Sequence, residues 1–335
     1  MIKPFVSIII PTFNRSEMLT ITLDSFLSQN YGKENFEIII SDNNSTDNTS
    51  KVIKSYIDKS VNITSTFVKK QGVHYARNSA ALLAKGEILY FTDDDMIADK
   101  NLLTKIIEVF NIDTRVAVVT GKITAKFESK EPLWVRKHLI NSFLSLTDNS
   151  RKENLIISSE DIGVYSCHQA IKKEVFFSAG GFNPENTAGV WLGDGETGLN
   201  IKIKKLGVYF AYFAESKIEH IIPKNRTTLK YLISRIGNEG YCRAYTEYRI
   251  YKSKKKLLQN IVYINLLDLL IIQVKYIILI LIGRKNIRFI LAFPFFYFKK
   301  SVYELKLLTN VQLREVVLID DWIKNMDKEI KLKDD

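Results

Sequence analysis

Along the first 125 residues, unbroken apolar runs alternate with stretches whose apolar side chains recur every three or four positions. Residues 5–12, "FVSIIIPT", are continuous and β-branched, which predicts a strand buried on both faces. Behind them Leu19, Leu23, Phe26 and Leu27 share one helical face, with Ser16 placed to cap it. "FEIIISD" (36–42) predicts a second buried strand, followed by a polar loop and a helix carrying Val52, Ile53, Tyr56 and Ile57. The strand "ITSTFV", a helix around "YARNSAALLAK", the strand "EILYFTD" and the helix "LLTKIIEVF" continue the alternation. The pattern predicts an α/β fold with a mostly parallel, Rossmann-like sheet and helices on both faces. Ligands in such sheets sit at the carboxyl ends of the strands, here Pro11-Thr12, Ser41-Asp42 and residues 92–95. Further on, a helix is expected from about Glu196, with Leu199, Ile203 and Leu206 in one stripe, and a strand at "YFAYFAESKIEH".

Composition adds three constraints. A chain of 335 residues accommodates a core divided as 1–125 and 126–247, with a helical appendage at 248–335. Cys167 and Cys242 are far apart and show no CxxC spacing, so neither a disulfide framework nor a zinc site is expected, which suits a reducing compartment. The N-terminal apolar run is closed by Pro11, which favours a buried strand over a signal peptide.

The net charge of +11 is confined to the C-terminal part: residues 249–300 hold eleven Lys and Arg against one acid, Asp268. The same stretch is the most apolar of the chain, which argues against nucleic acid and for an anionic membrane surface, with attachment at the cytoplasmic face, peripheral or monotopic. Residues 261–282 are long enough to span a bilayer, but Asn265, Asp268, Gln273 and Lys275 interrupt them. Asn265, Asp268 and Lys275 fall on one helical face, which predicts a helix lying in the interface. "IRFILAFPFFYF" is too short to span and is expected to break at Pro294. The alternative is a helical subdomain that buries these faces against itself or a second copy of the chain.

"YFTDDDM" (90–96) sets three like charges side by side after an apolar run. One reading is a solvated turn that caps the next helix, expected near Asp99; the other is a site for a hard divalent cation shared with a phosphate. On an extended chain Asp93 and Asp95 would share a face and Asp94 would point elsewhere. The chain has no GxGxxG and no GxxxxGK[ST], so dinucleotide and P-loop chemistry lose their usual support.

"VSIIIPTFNR", "FEIIISDNNSTDNT", "GVHYARNSAALLAKGEILYFTDDD" and "IKKEVFFSAGGFNPEN", in this order over roughly residues 4–240, resemble the family-2 glycosyltransferases of GT-A fold. The resemblance implies an inverting, metal-dependent transfer from a nucleotide sugar, expected to be a UDP-sugar, to a cell-surface glycan or lipid-linked saccharide. It places Pro11, Thr12, Phe13, Arg15, Asp42 and Arg77 around the nucleotide, with Asp42 at a uracil-like ring. Asp93 would face the ribose or sugar, with Asp94 in the same nucleotide-sugar site. Asp95 would ligate Mg²⁺ or Mn²⁺, with His220 reaching the same ion. His168 and Trp191 would line the sugar or acceptor pocket.

Of the family's acidic pair, Glu196 matches the second member, the general base, whereas Gly195 stands where the first acid belongs. Asp194 supplies the lost carboxylate from one position earlier or only caps the helix. Local alternatives remain at this level: an Asx turn for Asp42, a helix-surface ion pair for Arg77, a first-turn acid for Glu196, and a core position for Trp191. Because of Gly195, a nucleotide-sugar-binding or assembly subunit without turnover also stands. A nucleotidyltransferase would want glycines in "PTFNRSEM", which has none.

Overall fold

The computed structural model describes residues 3–138, 141–147, 153–187, 190–191 and 193–327. The first part alternates as the pattern predicts: β1 (Val6–Thr12), α1 (Ser16–Leu27), β2 (Phe36–Asp42), α2 (Thr49–Ile57), β3 (Ile63–Phe67), α3 (Val73–Leu83) and β4 (Ile88–Thr92). The short β5 (Met96–Ala98), α4 (Leu102–Ile112) and the long β6 (Val116–Phe127) follow, then α5 (Leu133–His138), α6 (Asn141–Leu144), β7 (Leu155–Ser158), β8 (His168–Lys172) and α7 (Lys173–Ser178). A two-residue ribbon, β9 (Asn186–Thr187) and β10 (Val190–Trp191), leads into α8 (Gly195–Lys204) and β11 (Tyr209–Ile222). The C-terminal part is helical: α9 (Leu229–Tyr251), α10 (Lys254–Gln259), α11 (Asn265–Leu281), α12 (Arg288–Thr309) and α13 (Val311–Val317).

The main sheet runs β3-β2-β1-β4-β8-β6-β11-β5, with β7 beside β11. It is parallel from β3 to β4, as expected, but mixed beyond, because β8 inserts antiparallel between β4 and β6. Every residue of β1 and β2 is buried, since apolar layers cover both faces. β1 keeps its ladder with β2 up to Thr12↔Asp42, whereas its ladder with β4 stops at Ile9↔Phe91. The strand order reverses at β1, so this divergence opens a crevice at the topological switch point. Its rim is stitched by Asn14, whose Oδ1 accepts the amides of Thr46 and Asp47. Ser16 does not cap α1; it is the first helical residue, and its amide donates to Asp47 Oδ2 at 3.3 Å.

The expected domain limit at 247 falls inside α9, a continuous helix that packs along α12. Pro294 does not break α12. A proline there cannot bond the carbonyl one turn back, and that carbonyl, of Ile290, accepts Gln273 Nε2 from α11 at 3.0 Å instead. Asn265, expected on an outer polar face with Lys275, is buried and donates to Glu304 and Ser301, while Lys275 is exposed. Asn265 and Gln273 of α11 therefore point inward, and Leu266, Leu270, Ile277 and Leu281 point outward. After α13 the chain returns to the sheet domain, where the amide of Trp322 donates to Gly180 O at 2.8 Å and its side chain is fully buried.

Candidate active site

The crevice is a cavity of about 490 Å³ between the ends of β1, β2 and β4 and the loop before α8. Pro11, Thr12, Phe13 and Arg15 line it from β1, Asn43 from β2, all three aspartates from β4, and Glu185 and Arg226 from the far side. Pro11 to Arg15 and the aspartates are thus brought together as the sequence suggested.

The aspartates neither cap α4 nor alternate. β4 ends at Thr92 and the chain turns, so the two-residue period of a strand does not apply, and Asp94 faces the cavity with its neighbours. Each is paired with a cation, and Arg15 is shared by two of them. Arg77 pairs with Asp93. Arg15 Nη1 lies 2.9 Å from Asp94 and 2.8 Å from Asp95, and Arg226 Nη2 lies 3.1 Å from Asp95. Burial drives the Asp94 carboxyl up to about 6 against the pull of Arg15. Burial acts on Asp95 too, but the cations Arg226 and Arg15 overcome it and hold that carboxyl below the usual range.

His220 Nδ1 lies 2.8 Å from Leu144 O, and Arg226 donates to Nε2 at 2.7 Å. An arginine only donates, so Nε2 is the lone-pair nitrogen and the ring is the Nδ1–H tautomer. That nitrogen lies 3.6 Å from Asp95 Oδ2, and Asp95 Oδ1 is a buried oxygen with no hydrogen-bond partner. Among the described residues no three His, Cys, Asp or Glu side chains converge on one position, and a divalent ion at Asp95 and His220 would have to take the Nε2 lone pair from Arg226.

Other expected residues stand elsewhere. Asp42 does not line the cavity: its Oδ1 accepts the Ser45 amide at 2.9 Å, a local turn, and Asn43 takes its place. Asn43 in turn holds the loop before α3, donating to Val68 O and Lys70 O and accepting from Gly72. Arg77 is buried rather than on the helix surface, and reaches the site through Asp93. His168 lies in the sheet core, not in a pocket: Tyr90 donates to its Nδ1 at 2.9 Å, its Nε2 donates to Ser216 O at 3.1 Å, and burial pushes it down to about 4. The alternation of apolar and polar residues in "YSCHQAIK" gave no sign of this, because both faces of β8 are covered. Trp191 belongs to β10, and its side chain lies outside the described residues.

Glu196 opens α8 beside the cavity without lining it, and its Oε2 accepts the amide and hydroxyl of Ser166 at 2.7 and 2.6 Å. Asp194 does not replace the missing acid. It is buried away from the crevice, accepting from Asn183 at 2.7 Å and Thr246 at 2.8 Å, and makes no side-chain cap to α8. Gly195 has φ +52°, and a Cβ there would stand 2.5 Å from the His74 ring. Neither the left-handed backbone nor the space admits an acid at that position. Sequence reasoning passed over Asn43, Glu185, Arg226 and His74; the one signal was Gly195 itself, since a missing acid asks what fills its place.

Residues 7–176 match the family model described as Glycosyl transferase family 2. Validoxylamine A glucosyltransferase of Streptomyces hygroscopicus subsp. jinggangensis is 34% identical over 120 residues, which cover 35% of this chain and 28% of that protein's length. Among solved structures, S. aureus TarS 1–349 in complex with UDP aligns over 70% of this chain and 65% of its own, with a TM-score of 0.50 at 18% identity. The mannosyltransferase PcManGT from Pyrobaculum calidifontis, in complex with GDP-Man and Mn²⁺, aligns over 98% and 89%, with a TM-score of 0.57 at 18% identity. At these identities the two structures bear on the fold, which is GT-A-like.

Proposed function

The chain belongs to glycosyl transferase family 2, and from that premise we propose that it moves a sugar from a nucleoside diphosphate to a cell-surface glycan or lipid-linked saccharide, with inversion at the anomeric carbon. We take the donor to be a UDP-sugar. The observation that carries the reading is the convergence of Asp93, Asp94 and Asp95 with Arg15 and Arg226 in one crevice at the sheet's switch point.

In this reading Pro11, Thr12, Phe13 and Asn43 receive the nucleoside, and Arg15 and Arg226 meet the diphosphate. Asp95 and His220 would hold Mn²⁺ or Mg²⁺, which when bound supplies positive charge against the leaving diphosphate. Glu196 is the base that takes the acceptor's hydroxyl proton. Its free oxygen stays available while Ser166 fixes the other, an orientation a proton acceptor needs. One base opposite a leaving group suffices for single displacement, whereas a glycoside hydrolase places two carboxylates about one bond.

We place the protein at the cytoplasmic face of a membrane. The described residues include one helix, Lys254–Leu281, long and apolar enough to cross a bilayer, and little of it is buried. It is basic at both ends, Lys254 to Lys256 in its first turn and Arg284, Lys285 and Arg288 after it. A crossing helix would strand one cluster on the far side, against the bias for cytoplasmic Lys and Arg, so a position in the interfacial plane fits better.

Thermal shifts with UDP, GDP and ADP, each with and without Mn²⁺, test the donor side. A UDP shift enlarged by Mn²⁺ is the expected result; no shift with any nucleotide overturns the reading. Slow release of UDP from a UDP-sugar without acceptor would separate an enzyme from a binding subunit.

A further inference from the structure

We propose that Glu185 is the carboxylate that reads the donor's sugar ring, occupying from the preceding loop the space that position 195 leaves open. The inference rests on the glycosyltransferase reading and gives a role to a residue of the stretch "IKKEVFFSAGGFNPEN" to which the resemblance assigned none.

Three observations lead there. First, Glu185 lines the same cavity as the three aspartates, whereas Glu196 does not, so Glu185 is on the donor side. Second, its Oε2 lies 3.4 Å from where a Cβ at residue 195 would be. Third, its hydrogen-bond partners are weak for a half-buried carboxylate: the Cys242 thiol donates to Oε1 over 3.6 Å, and His74 Nδ1 is 4.0 Å from Oε2. Desolvation lifts its carboxyl to about 7 against the pull of Arg235.

His74 sharpens the chemistry. Arg77 donates towards His74 Nε2 over 3.3 Å, which leaves the proton on Nδ1. That buried Nδ1–H has no partner and faces Glu185. A donor and an acceptor stand about one ångström too far apart to bond each other, and a hydroxyl oxygen beside them would accept from His74 and donate to Glu185. A hydroxyl of the transferred sugar is a group of that kind, which a nucleotide sugar brings in addition to the ribose hydroxyls that a bare nucleoside diphosphate already carries.

The test compares affinities of wild type, Glu185→Gln and Glu185→Ala for UDP and for UDP-glucose, UDP-N-acetylglucosamine and GDP-mannose by calorimetry. UDP affinity should stay within about twofold in both variants, which also shows that they fold. Affinity for the sugar nucleotide that wild type prefers should fall on the order of tenfold or more in Glu185→Ala and less in Glu185→Gln. Equal losses for UDP and the sugar nucleotide, or no loss for either, overturn the inference and leave the glycosyltransferase reading intact. A variant with unchanged donor affinity but a raised KM for acceptor does the same. Wild type that binds no nucleotide overturns both.

Discussion

Thr12 donates its hydroxyl to Asp94 Oδ2 at 2.7 Å, tying the end of β1 to the middle of the aspartate run across the crevice where β1 and β4 part. The bond holds a carboxyl that burial has lifted to about 6. A raised carboxyl keeps its proton in the folded state when the unfolded chain, near 4, has lost it. Its contribution to stability therefore falls as pH rises from about 4 to about 6 and is level above. Asp94→Asn removes this slope. The unfolding free energy of the variant relative to wild type, from chemical denaturation, should be higher at pH 7.5 than at pH 4.5 by on the order of 2 kcal/mol, and a difference independent of pH would refute the assignment.

Asp95 has the opposite sign and a different role. Its charge is held by Arg15 and Arg226, and its Oδ1 is the buried oxygen without a partner. Asp95→Asn should abolish the extra thermal shift that Mn²⁺ gives to UDP, while Thr12→Val keeps it. Retention of the Mn²⁺ effect in Asp95→Asn would place the ion elsewhere.

The neighbours Asp194 and Glu196 should separate cleanly. Glu196→Gln should keep UDP affinity and lower transfer by about 10²–10⁴-fold, because a base acts only in the transition state. Asp194→Asn disturbs the contacts to Asn183 and Thr246 instead, so its cost should appear in the melting temperature, with transfer by the folded fraction little changed. The reverse pattern, activity lost with Asp194 and kept without Glu196, would move the base to Asp194.

The legible part of the fold was local. Continuous apolar runs named β1, β2 and β4 because both faces of a parallel sheet are covered, and their ends named the crevice. What failed depended on partners distant in sequence. Asp94 was expected to turn away because the strand period was extended past Thr92, where the backbone has already turned. His168 was placed in a pocket, yet Tyr90 and Ser216, 78 and 48 residues away, satisfy both its nitrogens in the core. Pro294 signalled a break whose cure, Gln273, lies on another helix. Glu185 and Arg226 enter the cavity from loops with no periodicity to read.

The return of the C-terminus predicts that the nucleotide domain is not separable at 247. Trp322 is fully buried, packs edge-on to Tyr75 with ring centroids 6.5 Å apart, and belongs to a segment that Lys202 and Arg249 bind through Asp320. Trp322→Ala should cost about 3–5 kcal/mol in chemical denaturation. A chain ending at 247, cut within α9, should be less stable than one ending at 327, measured as a lower melting temperature; equal stability would show an independent domain.

The outward face of α11 should bind anionic lipid. Leu266, Leu270 and Ile277 are 58%, 56% and 48% exposed, so none of them is a core position whose replacement would open a cavity. Full-length protein should float with vesicles of phosphatidylglycerol and phosphatidylcholine far better than with phosphatidylcholine alone, each nearby Lys or Arg contributing on the order of 1 kcal/mol. High salt should weaken attachment without releasing it, since screening removes the Coulomb part and leaves the apolar burial. Leu270→Glu with Ile277→Glu should abolish flotation at both salt concentrations and leave UDP affinity unchanged, because the crevice lies on the sheet domain. Protein that ignores both vesicles yet forms a dimer that the double substitution dissociates would show instead that this face meets a second copy of the chain.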